Sequence, residues 1–237
     1  MSTTTEHYNL LKLVILVMEY GTKVLKEKVK SELSKGYKTF QDLVKASRHD
    51  LIHLHELKRC CACTSYPTAR HSAISYKQLA LLLDNDRGQA CTRPNNDRDQ
   101  LCTCGFKEKM NISENDMDIT LLSCFLLNII KQDDTVRKLI KNLRDKRNNL
   151  FHLISAKVPM EEFETKFQDI AHIINEIAKG FDTELFVTFR SQMIDLESSA
   201  CSPQQLHCAM ELVRRFKMSK INNAFISNEA VTRTVIH

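Results

Sequence analysis

VRKLIKNLRDKRNNLFHLI, residues Val136 to Ile154, is the stretch on which the reading of this chain turns. Counted through position 147, its apolar residues Val136, Ile140, Leu143, Leu150 and Ile154 step by four and three. That is the spacing of one face of an amphipathic helix. Position 147 holds arginine, at the centre of the apolar line. An unpaired charge on a buried seam costs roughly 3–5 kcal/mol. Arg147 therefore pairs, extends its apolar stem until the guanidinium reaches water, or meets a partner at an interface.

Helical period continues on both sides. A first helix is expected from about Glu6 to Leu33, with Tyr8, Leu11, Ile15, Met18, Thr22, Leu25 and Val29 inward and Gly36 as the break. Thr39 can cap a second, with Leu43, Leu51, Leu54 and Leu57 as core. Ile119, Leu122, Phe125, Leu126 and Ile129 form a strongly apolar helix ending near Lys131, and Asp133 or Asp134 can cap the basic helix. Pro159 opens a helix with Met160, Phe163, Phe167, Ile170, Ile174 and Ile177 in register, stopped by Gly180. Asp182 caps the next, with Leu185, Phe189, Met193 and Leu196 inward. Ser202-Pro203-Gln204-Gln205 reads as a capping box opening a last helix with Leu206, Met210, Val213 and Phe216, followed by a loose tail after Lys220. Five glycines and four prolines are too few for a turn-rich all-β design, so the fold class is all-α, an antiparallel helical bundle. The expected organisation is a helical domain over residues 1–200 and a C-terminal helix with its tail over 201–237.

Net charge is +5. From Lys131 to Lys157 eight basic residues (Lys131, Arg137, Lys138, Lys141, Arg144, Lys146, Arg147, Lys157) face three acidic ones (Asp133, Asp134, Asp145), a local surplus equal to that of the whole chain. Such a run is either a solvated helix face or, beside Arg147, a phosphate-binding surface in which Lys141, Arg144 and Lys146 contact RNA.

Residues 59–111 differ in texture and read as an insertion within the helical protein, with room for one short helix at Ile74–Leu83 and a turn-forming stretch at Asp84–Gln100. Six of the nine cysteines fall here: Cys60, Cys61, Cys63, Cys91, Cys102 and Cys104. Cys60-x2-Cys63 has zinc-knuckle spacing, and Cys102-x-Cys104 can supply two more thiolates, with Cys61 and Cys91 as substitutes. His49 and His53, one helical turn apart, are an alternative pair, and His55 and His71 lie near in sequence. The bland alternative is a set of buried reduced thiols. The segment has little apolar sequence to hold itself, so structural zinc is expected. Cys124, Cys201 and Cys208 lie on helical patterns and read as core. The N-terminus lacks a basic n-region, and the apolar run Leu10–Met18 is broken by Lys12 and too short for a span of about 20 residues. With an odd cysteine count, this points to a reducing compartment, hence a soluble cytoplasmic protein with no membrane role.

RNA can be cut without a metal when one group handles the 2′-hydroxyl proton and another stabilises charge on the phosphate. Histidine suits the first task and arginine the second. His152 follows Arg147 by five residues, with Asn148 beside Arg147. An Arg-x4-His spacing alone is common in helical proteins, where the arginine salt-bridges across a bundle. Here Arg147-Asn148-Asn149-Leu150-Phe151-His152 resembles the Arg-polar-x3-His signature of HEPN domains. The likeness extends to Leu10–Leu25, to Cys60-Cys61-Ala62-Cys63 and Cys102-Thr103-Cys104, and to Asp118-Ile119-Thr120-Leu121-Leu122. In that combination the chain resembles, over about residues 8–200, the HEPN type of the DAZ-interacting zinc-finger ubiquitin ligase and its relatives. The resemblance implies a bundle of four or more helices that homodimerises through the signature helix. It also implies metal-independent RNA cleavage leaving a 2′,3′-cyclic phosphate, with Arg147 and His152 catalytic and Asn148 orienting them. Other HEPN domains are non-catalytic modules that dimerise or bind RNA, and the same resemblance allows a role with a partner protein in signalling or antiviral defence. The eight-ligand RING pattern is absent, so ligase activity does not carry over.

Overall fold

A computed structural model describes residues 3–63, 73–86, 101–152, 158–199, 201–211 and 213–214. The described elements are α1 (Thr3–Ile15), a π-helical segment (Leu16–Gly21), α2 (Thr22–Leu33), α3 (Phe40–Ala46), α4 (Arg48–His55), α5 (Tyr76–Leu82), β1 (Leu83–Asn85), β2 (Phe106–Glu108), a 3-10 turn (Glu114–Asp116), α6 (Ile119–Asn128), α7 (Asp134–His152), α8 (Met160–Ala178) and α9 (Thr183–Ser198). The protein is thus mostly helical; the exception is β1 paired antiparallel with β2, Leu83 opposite Glu108 and Asn85 opposite Phe106. The chain divides into two compact units, Met1–Val24 with Lys141–His237, and Leu25–Ile140. None of the described helices is long and apolar enough to cross a membrane.

In the first unit, α1 and the π segment pack on α8 and α9. Lys12 Nζ donates to the Glu197 carbonyl at 2.8 Å and Lys23 Nζ to Gln192 Oε1 at 3.1 Å, so numbering rises along one strip and falls along the other: α9 runs antiparallel to α1. At the other end Asn9, buried, donates through Nδ2 to the Val158 carbonyl at 3.1 Å, fixing the entry to α8 beside α1. Phe163, Phe167, Ile170, Ile174 and Ile177 of α8 are buried as expected, whereas Met160 is 49 % exposed. In α9 the buried residues are Phe189, Met193 and Leu196, with Asp182 accepting from the Leu185 amide as N-cap. Residues 203–211 are helical, and the Ser202–Gln205 capping box forms, the Gln205 amide donating to Ser202 Oγ at 3.2 Å. Its inward residue is Ala209, not Met210, which is exposed; Cys208 is exposed too, while Cys124 and Cys201 are buried. Phe216 and the tail lie outside the described residues.

The first helical stripe is phased differently from the expectation. Leu10, Leu13, Val14, Val17, Tyr20 and Val24 are buried, and Tyr8, Leu11 and Met18 are half-exposed. A π segment fits extra residues into a turn and rotates everything beyond it, so a uniform 3.6-residue count misaligns the two ends. Ile15, Leu25 and Val29 are buried in either phase.

In the second unit α6 is buried nearly all round, from Ile119 to Leu127, as befits a central helix. Its buried Ser123 hydroxyl is satisfied by donating to the Ile119 carbonyl at 2.7 Å. Phe40 of α3 packs on Phe125 with ring centroids 5.1 Å apart. Thr39 and Asp42 form a reciprocal capping box, but the helix it starts stops at Ser47 and α4 begins anew, so Leu57 lies beyond the helices. The β1–β2 ribbon is prolonged by the Asp86 amide donating to the Gly105 carbonyl at 2.9 Å. A Cβ on Gly105 would run into the Asp86 carbonyl oxygen. Gly105→Ala is therefore expected to destabilise the protein by about 1–3 kcal/mol, read as a melting temperature lower by several degrees; an unchanged melting temperature would show that the ribbon shifts without strain.

Candidate metal centres and the basic helix

His49 and His53 stand one turn apart on α4 and so share a face. After His55 the chain leaves the helix through an extended Glu56 and bends at Lys58 before Cys60, which bridges in parallel with Leu101. It then turns: the Cys63 amide donates to the Cys60 carbonyl at 3.1 Å, and the Ala62 amide to Cys60 Sγ at 3.3 Å. This knuckle brings both thiols under the imidazoles. His49 Nε2 lies 3.3 Å from Cys60 Sγ and 3.0 Å from Cys63 Sγ, and His53 Nε2 lies 3.3 Å from Cys63 Sγ. Metal–nitrogen bonds near 2.0–2.1 Å and metal–sulfur bonds near 2.3 Å put tetrahedral edges at roughly 3.3–3.8 Å. The four atoms are spaced for one such ion, slightly contracted.

The second-sphere geometry suits this. His53 Nδ1 is 3.3 Å from the Glu56 carbonyl, and His49 Nδ1 is 3.7 Å from Asp50 Oδ1. An Nδ1–H donated by His53 to the Glu56 carbonyl leaves its Nε2 lone pair aimed at the Cys63 thiol, the tautomer a metal ligand needs, while the Asp50 carboxylate is a charged neighbour of His49 beyond hydrogen-bond reach. Burial, and then the neighbouring Cys60, push the Cys63 thiol above its ordinary value. A cation bound between the two thiols would offset that penalty.

A separate trio gathers Cys61, Cys102 and Cys104. Cys61 Sγ is 3.8 Å from Cys104 Sγ, and the Thr103 amide donates to Cys61 Sγ at 3.4 Å. Each of the two groups has all its donor atoms within 4.8 Å of one another, so each could hold a metal ion. The combination suggested by spacing, Cys60 and Cys63 with Cys102 and Cys104, is not the one the chain makes: the histidine pair takes the place of the second cysteine pair. Cys91 and His71 lie outside the described residues. His55 points elsewhere, with Nδ1 3.0 Å from the Ile74 carbonyl and its ring against Tyr76.

On α7, Asp133 Oδ1 accepts from the Val136 amide as the cap. Ile140, Leu143 and Leu150 are buried and Val136 is half-buried; Ile154 lies outside the described residues. Arg147 sits among them, half-exposed, with Nε shut off from solvent and Nη1 donating to Asn148 Oδ1 at 3.0 Å. The stem thus lies along the apolar line while the head reaches its rim. At about 100° per residue, Lys141, Arg144 and Asn148 fall within about 60° of one another on the outer face. Lys146 departs from them, about 140° from Lys141, with Nζ 2.7 Å from Asp169 Oδ2 of α8. Arg144 Nε is 3.9 Å from Asp145 Oδ1, and Lys141 is exposed. His152 is the last residue of α7, and its side chain lies outside the described residues.

Comparison of the chain with protein-family models, with curated proteins and with solved structures gives no match. Sequence spacing offered His49 and His53 as an alternative pair, and the structure gathers them with Cys60 and Cys63. Their signal was the i, i+4 pair, ten and eleven residues ahead of the cysteines of the knuckle.

Proposed function

We propose that this chain is a HEPN-type protein that acts on RNA as a homodimer, a metal-independent endoribonuclease whose Arg147 stabilises the phosphate, whose His152 moves the 2′-hydroxyl proton and whose Asn148 orients the arginine. The observation that carries it is Arg147 itself, kept on the apolar line of α7 between buried Leu143 and Leu150 yet half-exposed and hydrogen-bonded to Asn148. A purely packing role would favour leucine there. Positions 147 and 152 project about 140° apart on one helix. This favours a site assembled from two copies, in which each α7 supplies a group to the other's phosphate. Lys141 and Arg144, on the outer face with Asn148, would hold the flanking RNA backbone, Lys146 joining only when it leaves Asp169. In the same reading the Cys/His groups carry structural zinc, outside the chemistry, and the protein works in the cytoplasm, off membranes.

The test is incubation of single-stranded RNA with the protein in EDTA, zinc content being checked before and after. Fragments ending in 2′,3′-cyclic phosphate are expected. Intact RNA at high protein concentration, with binding that weakens as salt rises, would leave a non-catalytic RNA-binding or dimerisation module. RNA neither cut nor bound would remove both.

A further inference from the structure

We propose that the unit Leu25–Ile140 holds two zinc ions, and that the adjacent residues Cys60 and Cys61 serve different ions. This rests on the zinc reading above and goes beyond it in number, ligand division and role. The donor count points to it. The first group offers His49, His53, Cys60 and Cys63, and the second Cys61, Cys102 and Cys104. Four plus three ligand atoms exceed what one tetrahedral zinc accepts.

The backbone explains the division. Cys60 lies in the bridge with Leu101, and Cys61 is the first residue of the turn that follows, so the backbone changes direction between the two side chains. Cys60 Sγ accordingly meets His49 Nε2 at 3.3 Å, while Cys61 Sγ meets Cys104 Sγ at 3.8 Å, the separation of two thiolates on one tetrahedral ion. Each sulfur also accepts a backbone amide, from Ala62 for Cys60 and from Thr103 for Cys61. Amide donors of this kind stabilise a bound thiolate's charge.

The two ions do different work. The first has four protein ligands within residues 49–63, so it is closed to substrate and pins α4 to the knuckle locally. The second ties Cys61 to Cys104, 43 residues on, and so closes a long loop whose ends the chain would otherwise bring together at an entropic cost. It takes one ligand beyond the three thiolates to complete a tetrahedron. Each thiol gives up its proton on binding.

Native mass spectrometry and metal analysis of the full chain, purified without chelator, test this. Two zinc ions per chain are expected, and one in Cys102→Ser/Cys104→Ser. Zinc K-edge absorption of the wild-type protein supplies a readout independent of any variant: the average shell should hold more sulfur than nitrogen or oxygen. A single zinc per chain with equal sulfur and nitrogen overturns the two-ion inference and leaves the zinc reading standing. Two ions with no excess of sulfur overturn it as well, by placing the second ion elsewhere. No zinc at all overturns both.

Discussion

His53→Ala is expected to lower the melting temperature by roughly 10–20 °C, and excess chelator should bring the wild-type protein down at least as far. His53 Nε2 sits 3.3 Å from Cys63 Sγ, and its ring packs edge-on against His49 at 4.7 Å between centroids. Structural zinc contributes apparent binding energies of about 10–16 kcal/mol in small domains. Loss of even about 5 kcal/mol of it, at roughly 2–4 °C per kcal/mol for a chain of this size, gives the range stated. His55→Ala is the matched control, on the same helix but bonded toward the Ile74 carbonyl, and should cost far less. Protons compete with metal for the same imidazole nitrogens and sulfurs. The metal-dependent part of stability is thus present at neutral pH and lost as pH falls. A variant that melts with the wild type, in a protein indifferent to chelator, would leave the four side chains as an ordinary polar cluster.

Arg147→Leu is expected to abolish RNA cleavage, by at least about a hundredfold, while leaving the melting temperature equal or slightly raised. The leucine would complete the apolar line of Ile140, Leu143 and Leu150 without stranding a charge. Arg147→Lys should lose most of the activity too, since an ammonium cannot offer two parallel donors to a phosphate. His152→Ala should lose a comparable factor through the proton-transfer step, and its loss should flatten the neutral limb of the pH–rate profile. Stability and activity moving in opposite directions is the signature of a residue kept for chemistry. If Arg147→Leu instead melts several degrees lower and cuts RNA as well as wild type, the arginine is structural and the nuclease proposal fails.

The helix starts were legible because a cap is a bond between residues three apart. Thr39, Asp133, Asp182 and Ser202 each sit where a side-chain oxygen takes an amide of the first turn. The inward face of α8 was legible for a similar reason: five large apolar residues repeat at a helical interval and only one arrangement buries them. Periodicity misled where the helix itself changes pitch, at Leu16–Gly21, and where a run of helical pattern is cut at Ser47 without a glycine or proline to mark it. Strands of three residues, such as β1 and β2, are too short to carry an alternating signature.

Chain-local physics settled the helical class, the caps, the apolar stripes and the odd placement of Arg147, since each follows from neighbours within a turn or two. The grouping of ligands did not follow from spacing. Cys60 and Cys61 are covalent neighbours, yet the chain turns between them and their side chains meet different partners, one on a helix eleven residues earlier and one a thiol 43 residues later. Nothing local distinguishes those partners. They are selected when Leu101 docks beside Cys60 and α4 presents its histidines, and that meeting exists only in the folded chain.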